Sequence, residues 1–500
     1  MGKFILGVDI GTSSVKTIIY DVGKSKIIAS KSEEHNLYSP KPGWAEENPE
    51  DWWANTLKSV KSCILESRIN PGNISVIGTT GMLPAFVILD SNGDLIRPSM
   101  QQNDSRTYKE VKIIEEKIDS EAFFNITGCT LNAQMIAPKI IWMRNNEPEN
   151  FKKIKTIFGS YDYINYKLTG KRSVESNWAL ESGIYDINLK RWSKKILAVL
   201  EVDEGILPGV NWPTDIIGGV DKEAAGLLGI QSGTPVIAGF ADHISAAFIS
   251  GVRNYGDLAI KLGSAGDIMF TANKLITDKR LFIDFHPIPD NYYLSGCMAS
   301  SGSLLKWFKN QFFDDKKIDF PDLDKYSEKI ESGSNGLVVL PYFIGEKTPI
   351  FDPLARGVFF GLTTFHTRYH LYKAILESIG YAFLHHIEVI HEIGFETKKI
   401  IASGAGAMSL IWVQILSNIF GMEINLLKQN PGSVMGAVFM AGMAANLFNS
   451  WDDAAKFSEI SSTVYPEPKE NLRYSKLYSI YKKLYLNLSE NFKELNMIYD

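Results

Sequence analysis

A chain of 500 residues, 45% hydrophobic and 22% charged, is long enough for more than one core, and two large domains, 1–250 and 251–500, are the natural division. The 52 Lys and Arg against 57 Asp and Glu give a formal charge of -5, which excludes the electrostatic footprint of a nucleic-acid binder and favours a small polar ligand. Cys63, Cys129 and Cys297 fit neither a metal-ligand spacing nor a disulfide framework. With no leader-like start and no apolar run approaching the length of a membrane span, no membrane partner is expected, and the expectation is a cytoplasmic enzyme with reduced thiols.

In chain order, the apolar run from Phe4, the turn Gly11-Thr12-Ser13-Ser14 and the β-prone run to Asp21 predict a hairpin. Its tip offers backbone N–H groups and three hydroxyls, a concavity suited to anions. Asp9, ending the first strand, suits a Mg²⁺ ion that bridges phosphates, held directly or through water, and Lys16 is a candidate cation. An ordinary hairpin with an Asx-Gly turn uses the same residues. Asn48 and Pro49 predict a helix start, with Leu57, Val60, Ile64 and Leu65 at helical spacing up to Arg68. Trp44 and Glu46, just before it, suit either a cleft wall or packing on that helix. Ile74 to Thr80 reads as a buried strand ending in Gly81-Met82-Leu83-Pro84, and Ala85 to Asp90 as another, closed by Asn92-Gly93. The polar stretch Arg97 to Thr107 contains Asn103, Asp104 and Arg106. Together these can grip several hydroxyls in a directed way, as a sugar requires, or the stretch caps the helix beginning near Thr107.

Residues 110–235 read as mostly helical, their Trp142, Trp178, Trp192, Tyr161, Tyr163 and Tyr166 as core. A buried strand from Gly233 then turns at Gly239 and places Asp242 ahead of a helix. An acid at a strand's C-terminal end lies where α/β sheets carry chemistry, and it can accept the proton of a hydroxyl attacking a phosphoryl group; capping the helix is the plainer duty, and both are compatible. His243 has no His or Cys at metal-binding spacing and reads as structural or as a neighbour of the site. Residues 257–271 repeat the opening plan with a tip at Gly263-Ser264, which predicts an internal duplication. Gly404-Ala405-Gly406 ends a strand where backbone can approach a ligand closely, and Gly432 to Gly442 reads as a small-residue helix packed under the nucleotide site.

These residues together resemble the FGGY family of carbohydrate kinases. The resemblance is carried by Asp9 with Gly11-Thr12, Trp44-Ala45-Glu46, Asn103-Asp104-Ser105-Arg106, Gly239 with Asp242, Gly404 to Ala407, and above all Gly345-Glu346-Lys347-Thr348-Pro349 running into Ala355-Arg356-Gly357. It implies an α/β fold of two ribonuclease-H-like domains, of the type shared with actin, flanking a deep cleft where ATP, Mg²⁺ and a sugar meet. It further implies that Asp242 is the catalytic base and Asp9 a second catalytic carboxylate, lying near Mg²⁺ and the phosphates. Gly11, Thr12, Ser13, Lys16, Gly263, Ser264 and Gly302 would serve the phosphates, and Gly404, Ala405 and Gly406 the nucleoside. Met82, Leu83, Asn103, Asp104, Arg106, Asp242 and His243 would face the sugar, and a homodimer is a family-level expectation.

Within the family the chain is most similar to the xylulokinase branch, which implies a ketopentose such as D-xylulose as acceptor. It departs where Leu83 stands in place of a sugar-contacting His. An unpaired hydroxyl there costs roughly 1–3 kcal/mol, enough to redirect the enzyme to another ketose, a polyol or a sugar acid such as gluconate, or to ribulose. Gln102 stands for a usual Trp, Ala241 and His243 for Gly and Asn, and Ser264-Ala265 for Thr-Ser. Two other classes stay open: a catalytically weak sugar-binding regulator, and an actin-like or chaperone-like ATPase.

Overall fold

Phe4–Ile10 (β1) is apolar at nearly every position because it is covered on both faces, the signature of a central strand. The computed structural model describes residues 3–313 and 318–499. In the first sheet β1 pairs antiparallel with Ser14–Asp21 (β2), which pairs with Lys26–Glu34 (β3), and parallel with Ile74–Gly81 (β4). Ile216–Gly219 (β5), Pro235–Ile237 (β6) and the short Phe240–Ala241 (β7) complete it in the order β5-β6-β4-β1-β2-β3, with β7 also on β4. The helix Pro49–Ser67 covers β2 and β3, where the hydroxyls of Thr17 and Ser59 meet at 2.7 Å. Asn48 caps this helix as expected, its Oδ1 accepting from Glu50 N, with Pro49 in the first turn.

The chain divides into two compact units, Met1–Ser250 with Asp284–Pro289 and Pro431–Phe457, and Gly251–Ile283 with Asp290–Asn430 and Ser458–Asp500. A single break after residue 250 therefore misses two returns to the first unit, and each has a physical cause. Asn177 Oδ1 accepts from Phe285 N while its amide donates to Phe285 O, holding the first return. The second brings the helix Ser433–Ala444 onto β1 and β4, where Gly7 and Gly78 leave the room: a Cβ on Gly78 would lie 2.3 Å from Ala437 O. This small-residue helix thus packs on the first sheet, against the strand that carries Asp9.

The second unit's sheet contains Asp257–Leu262 (β8), Gly266–Ala272 (β9), Tyr292–Met298 (β10), Lys399–Ser403 (β11), Ile424–Leu427 (β12) and Ile460–Val464 (β13) in the order β10-β9-β8-β11-β12-β13. Three antiparallel strands followed by parallel neighbours repeat the plan of β3-β2-β1-β4-β6, the duplication read from the two hairpins. Residues 110–235 differ from expectation. Short β-prone triplets such as Thr156-Ile157-Phe158 and Ser173-Val174-Glu175, each ended by a helix cap, form strands among the helices. The expected strand after Pro84 shrinks to Val87–Leu89 and pairs with Thr156–Phe158. Among the described residues no helix is long and apolar enough to cross a membrane.

Candidate active site

In the first unit, three parallel neighbours end at the same edge. Asp9 stands opposite Thr80, Ile10 opposite Gly81, Phe240 opposite Thr80 and Ala241 opposite Gly81, so the segments Asp9–Gly11, Gly81–Leu83 and Ala241–His243 emerge side by side. Thr80 Oγ1 donates to Phe240 O at 2.6 Å and Met82 N to Ile10 O at 3.0 Å, fixing the three ends to one another. Gly239 makes the approach of the third segment feasible. Its φ is +78°, and a Cβ there would sit 2.3 Å from Thr79 O.

Asp9 Oδ2 accepts from Ser433 Oγ at 2.5 Å, whereas Oδ1 is shielded from solvent and has no hydrogen-bond partner among the described residues. Burial first, and then the charge of Asp242, push Asp9 up to about 7, against the pull of Ser433 and of Lys16, its cross-strand neighbour. Lys16, Thr12 and Ser13 are exposed, and Gly11 N closes the hairpin tip on Ser14 O at 3.0 Å.

Asp242 begins the helix Asp242–Ile249 with its side chain about 38% exposed, and Oδ1 accepts from His243 N at 2.6 Å. The expected capping bond into the first turn is not what this carboxylate makes. His243 presents Nδ1 to Asp242 Oδ1 at 3.6 Å and Nε2 to Glu181 Oε1 and Asp284 Oδ2, both at 3.8 Å. Burial opposes charge on the imidazole, but the carboxylates of Asp242, Asp284 and Glu181 outweigh it and hold His243 well above the usual histidine range. Burial and the nearby Asp284 push Glu181 well up as well.

The polar cluster that read as a sugar grip is divided. Met82 and Leu83 are buried and Asn103 is exposed, but Asp104 and Arg106 turn inward. Arg106 meets Asp104 Oδ2 through Nη2 at 2.6 Å and Glu46 Oε1 at 2.7 Å, its guanidinium stacked 3.6 Å from the Trp44 ring. Asp104 also accepts from Ala45 N at 2.7 Å, so both side chains chiefly brace the loop, although Arg106 Nη1 is buried without a partner among the described residues. Trp44 accordingly packs on Arg106 and, edge to face, on Trp142.

In the second unit β8 and β11 are parallel, with Lys261 opposite Ser403, so Gly263-Ser264 and Gly404-Ala405-Gly406 follow adjacent strand ends. Gly404 has φ +87°, and a Cβ there would meet Leu262 O at 2.7 Å. The start of the helix Gly302–Phe312 joins them: Gly302 N donates to Gly263 O at 2.9 Å, and Ser301 N and Ser303 N to Ser264 O at 3.0 and 3.1 Å. The Gly345–Pro353 run is a brace beside β10. Glu346 Oε1 accepts from Ala299 N at 2.6 Å and Thr348 Oγ1 from Cys297 N at 2.7 Å.

Sequence reasoning did not single out Glu181, Asp284, Ser433 or Lys139. Only Lys139 left a local trace, a lone cation in the apolar run Ile136-Ala137-Pro138-Lys139-Ile140-Ile141-Trp142.

The N-terminal-domain profile of the FGGY family of carbohydrate kinases matches residues 4–249, and the C-terminal-domain profile matches residues 258–445. The xylulose kinase of Lactococcus lactis is 32% identical over 97% of both chains. Among solved structures, xylulose kinase from Rhodospirillum rubrum aligns with a TM-score of 0.94 at 36% identity, covering 98% of this chain and 100% of its own. Gluconate kinase from Lactobacillus acidophilus aligns with a TM-score of 0.93 at 26% identity, covering 99% of this chain and 100% of its own. The two-unit α/β architecture, the repeated hairpins and these matches make the chain a member of the FGGY family of carbohydrate kinases.

Proposed function

We propose that this carbohydrate kinase transfers the γ-phosphoryl group of ATP to a hydroxyl of a small neutral sugar, a ketopentose such as D-xylulose. The observation that carries the reading is Asp242, an accessible carboxylate at the strand-end edge that also presents Met82 and Leu83. There it accepts the proton of the acceptor hydroxyl as that oxygen bonds to the γ-phosphorus; the bond from phosphorus to the β,γ-bridging oxygen breaks and ADP leaves. Met82, Leu83, Asn103 and His243 face the acceptor in this reading, while Asp104 and Arg106 keep the Asn103 loop in shape. Gly11, Thr12, Ser13 and Lys16, with Gly263, Ser264 and Gly302, serve the phosphates, and Gly404, Ala405 and Gly406 the nucleoside.

The residues fit a magnesium ion at Asp9, because its Oδ1 is a buried acceptor with no donor among the described residues, and a cation there would relieve the repulsion with Asp242. Such an ion supplies charge neutralisation for the phosphates.

A neutral acceptor is favoured because Asp242 and Asp284 already engage the imidazole cation of His243, which is then not free to meet the carboxylate of an aldonate. The second reading is a gluconate kinase, prompted by the 0.93 TM-score to that enzyme. A coupled assay of ADP release over pentuloses, hexuloses, polyols and sugar acids decides. Preference for a pentulose supports the proposal, and turnover confined to gluconate replaces it with the second reading. A sugar-induced thermal shift without turnover identifies a binding relative.

A further inference from the structure

Lys139 is fully buried in the helix Ile136–Asn146, among Ile136, Ala137, Ile140 and Ile141. An ammonium group so far from water is costly unless its donors are met, and burial pushes Lys139 down to about 7. Its Nζ donates to Pro84 O at 3.2 Å and to Gln101 O at 3.0 Å.

Those two carbonyls belong to different segments. Pro84 directly follows Met82 and Leu83, and Gln101 lies two residues before Asn103. The two segments meet once by backbone, Phe86 N donating to Met100 O at 3.0 Å, and each has further anchors of its own: Met82 O accepts from Ser160 Oγ at 2.6 Å and Ala85 O from Trp178 Nε1 at 3.0 Å. On the other side Gln101 N donates to Ala45 O at 2.9 Å, and Asp104 takes Ala45 N. Beyond that bridge, on the side where the chain leaves each segment for Leu83 and Asn103, Lys139 adds a second tie between them.

The geometry points to Lys139 as a positioning residue that sets the spacing between the Met82–Leu83 wall and the Asn103 wall of the acceptor site. The inference rests on the acceptor reading above. Lys139 acts on the acceptor walls through the two backbone carbonyls it holds and through its charge beside Asp104 and Arg106 on the Asn103 loop, so its effect belongs to sugar binding and orientation. A lysine that only filled the core would alter stability and leave both Michaelis constants alone.

The test is steady-state kinetics of Lys139→Met, which keeps the length of the side chain and loses both hydrogen bonds, and of Lys139→Gln, which keeps an N–H donor. Folding is checked by circular dichroism and thermal melting. Expected for Lys139→Met is a rise of about tenfold or more in KM for the sugar, with KM for ATP held within about twofold, and a smaller rise for Lys139→Gln. A folded variant with unchanged sugar KM overturns the inference, as does a parallel rise in both constants. Failure of both variants to fold assigns Lys139 to the core and overturns it too. Absence of sugar turnover by the wild-type enzyme instead sinks the acceptor reading, so the two failures are distinct.

Discussion

Ser433 Oγ donates to Asp9 Oδ2 at 2.5 Å, joining residues 424 positions apart within one compact unit. The bond satisfies one carboxylate oxygen and leaves the other a buried acceptor without a donor among the described residues. Asp9 is therefore a strained group in the metal-free protein. Its folded value of about 7 lies well above the ordinary aspartate value of about 3.9, so folding favours the protonated form. Its unfavourable contribution is absent at acid pH, grows as pH rises through the interval between those values, and is complete above about 7. Replacing Asp9 by Asn removes that burden. In the presence of a chelator, Asp9→Asn should melt at a higher temperature than wild type at pH 8, by the equivalent of about 2–4 kcal/mol, with the gain shrinking toward pH 5. Activity should be lost. A Tm difference independent of pH would show that Asp9 is not the buried, repelled carboxylate described.

Asp242 makes its best hydrogen bond to the next residue's N–H and leaves the rest of its carboxylate accessible. Removing a general base typically costs about 10²- to 10⁴-fold in rate. Asp242→Asn is nearly isosteric and keeps an acceptor for His243 N, so it should fold normally, retain a sugar-induced thermal shift, and lose at least about a hundredfold in kcat. Retained turnover at near wild-type kcat would remove Asp242 from the reaction.

How far the site could be read from sequence depended on the range of the interaction. The two hairpins, the Asn48 cap and the Gly239 turn are local: a glycine, an amide or a proline at a given offset imposes the backbone, and the structure repeats it. The inward turn of Asp104 and Arg106 was hidden because a dense polar run does not reveal whether its charges will meet a ligand or each other. Here the deciding partner is Glu46, 60 residues before Arg106. Glu181 and Asp284 are likewise invisible beside His243 until the return at Asp284–Pro289 brings them together. Apolar period fixes which face of an element is buried, but not which distant charge completes it.

His243 turns that grouping into a pH-dependent contribution to stability. The imidazole is held well above its usual range by Asp242, Asp284 and Glu181, so its charged form is favoured by folding. This stabilisation is fully present below the unfolded histidine value, and it is lost only as pH rises through the higher folded value. His243→Asn leaves Asp242 and Asp284 without their cation. The Tm deficit of the variant should be largest at pH 6 and narrow as pH is raised into the alkaline range, measured by melting at fixed ionic strength. A deficit that widens with pH would mean that the histidine is neutral in the folded protein.

Leu83 is the residue at this edge most open to a gain of function. It is buried at 5% exposure between Met82 and Pro84, on a segment that emerges beside Asp242, and its side chain offers no hydrogen bond. An acceptor hydroxyl facing it is stripped of water without a partner, which costs roughly 1–3 kcal/mol. Leu83→His introduces a donor at that wall, and the matched hydroxyl should recover much of the cost. The expected outcome is a rise of about 10- to 100-fold in kcat/KM for the ketopentose whose hydroxyl meets the imidazole, with other acceptors changed little. Some stability is lost, because a polar ring replaces a branched aliphatic side chain in a largely buried position. The comparison is therefore a ratio of kcat/KM values across the sugar panel, which cancels a uniform loss of folded enzyme. An unchanged ratio would place Leu83 outside the acceptor's reach, whereas a shifted ratio would identify this single side chain as the one that tunes acceptor choice.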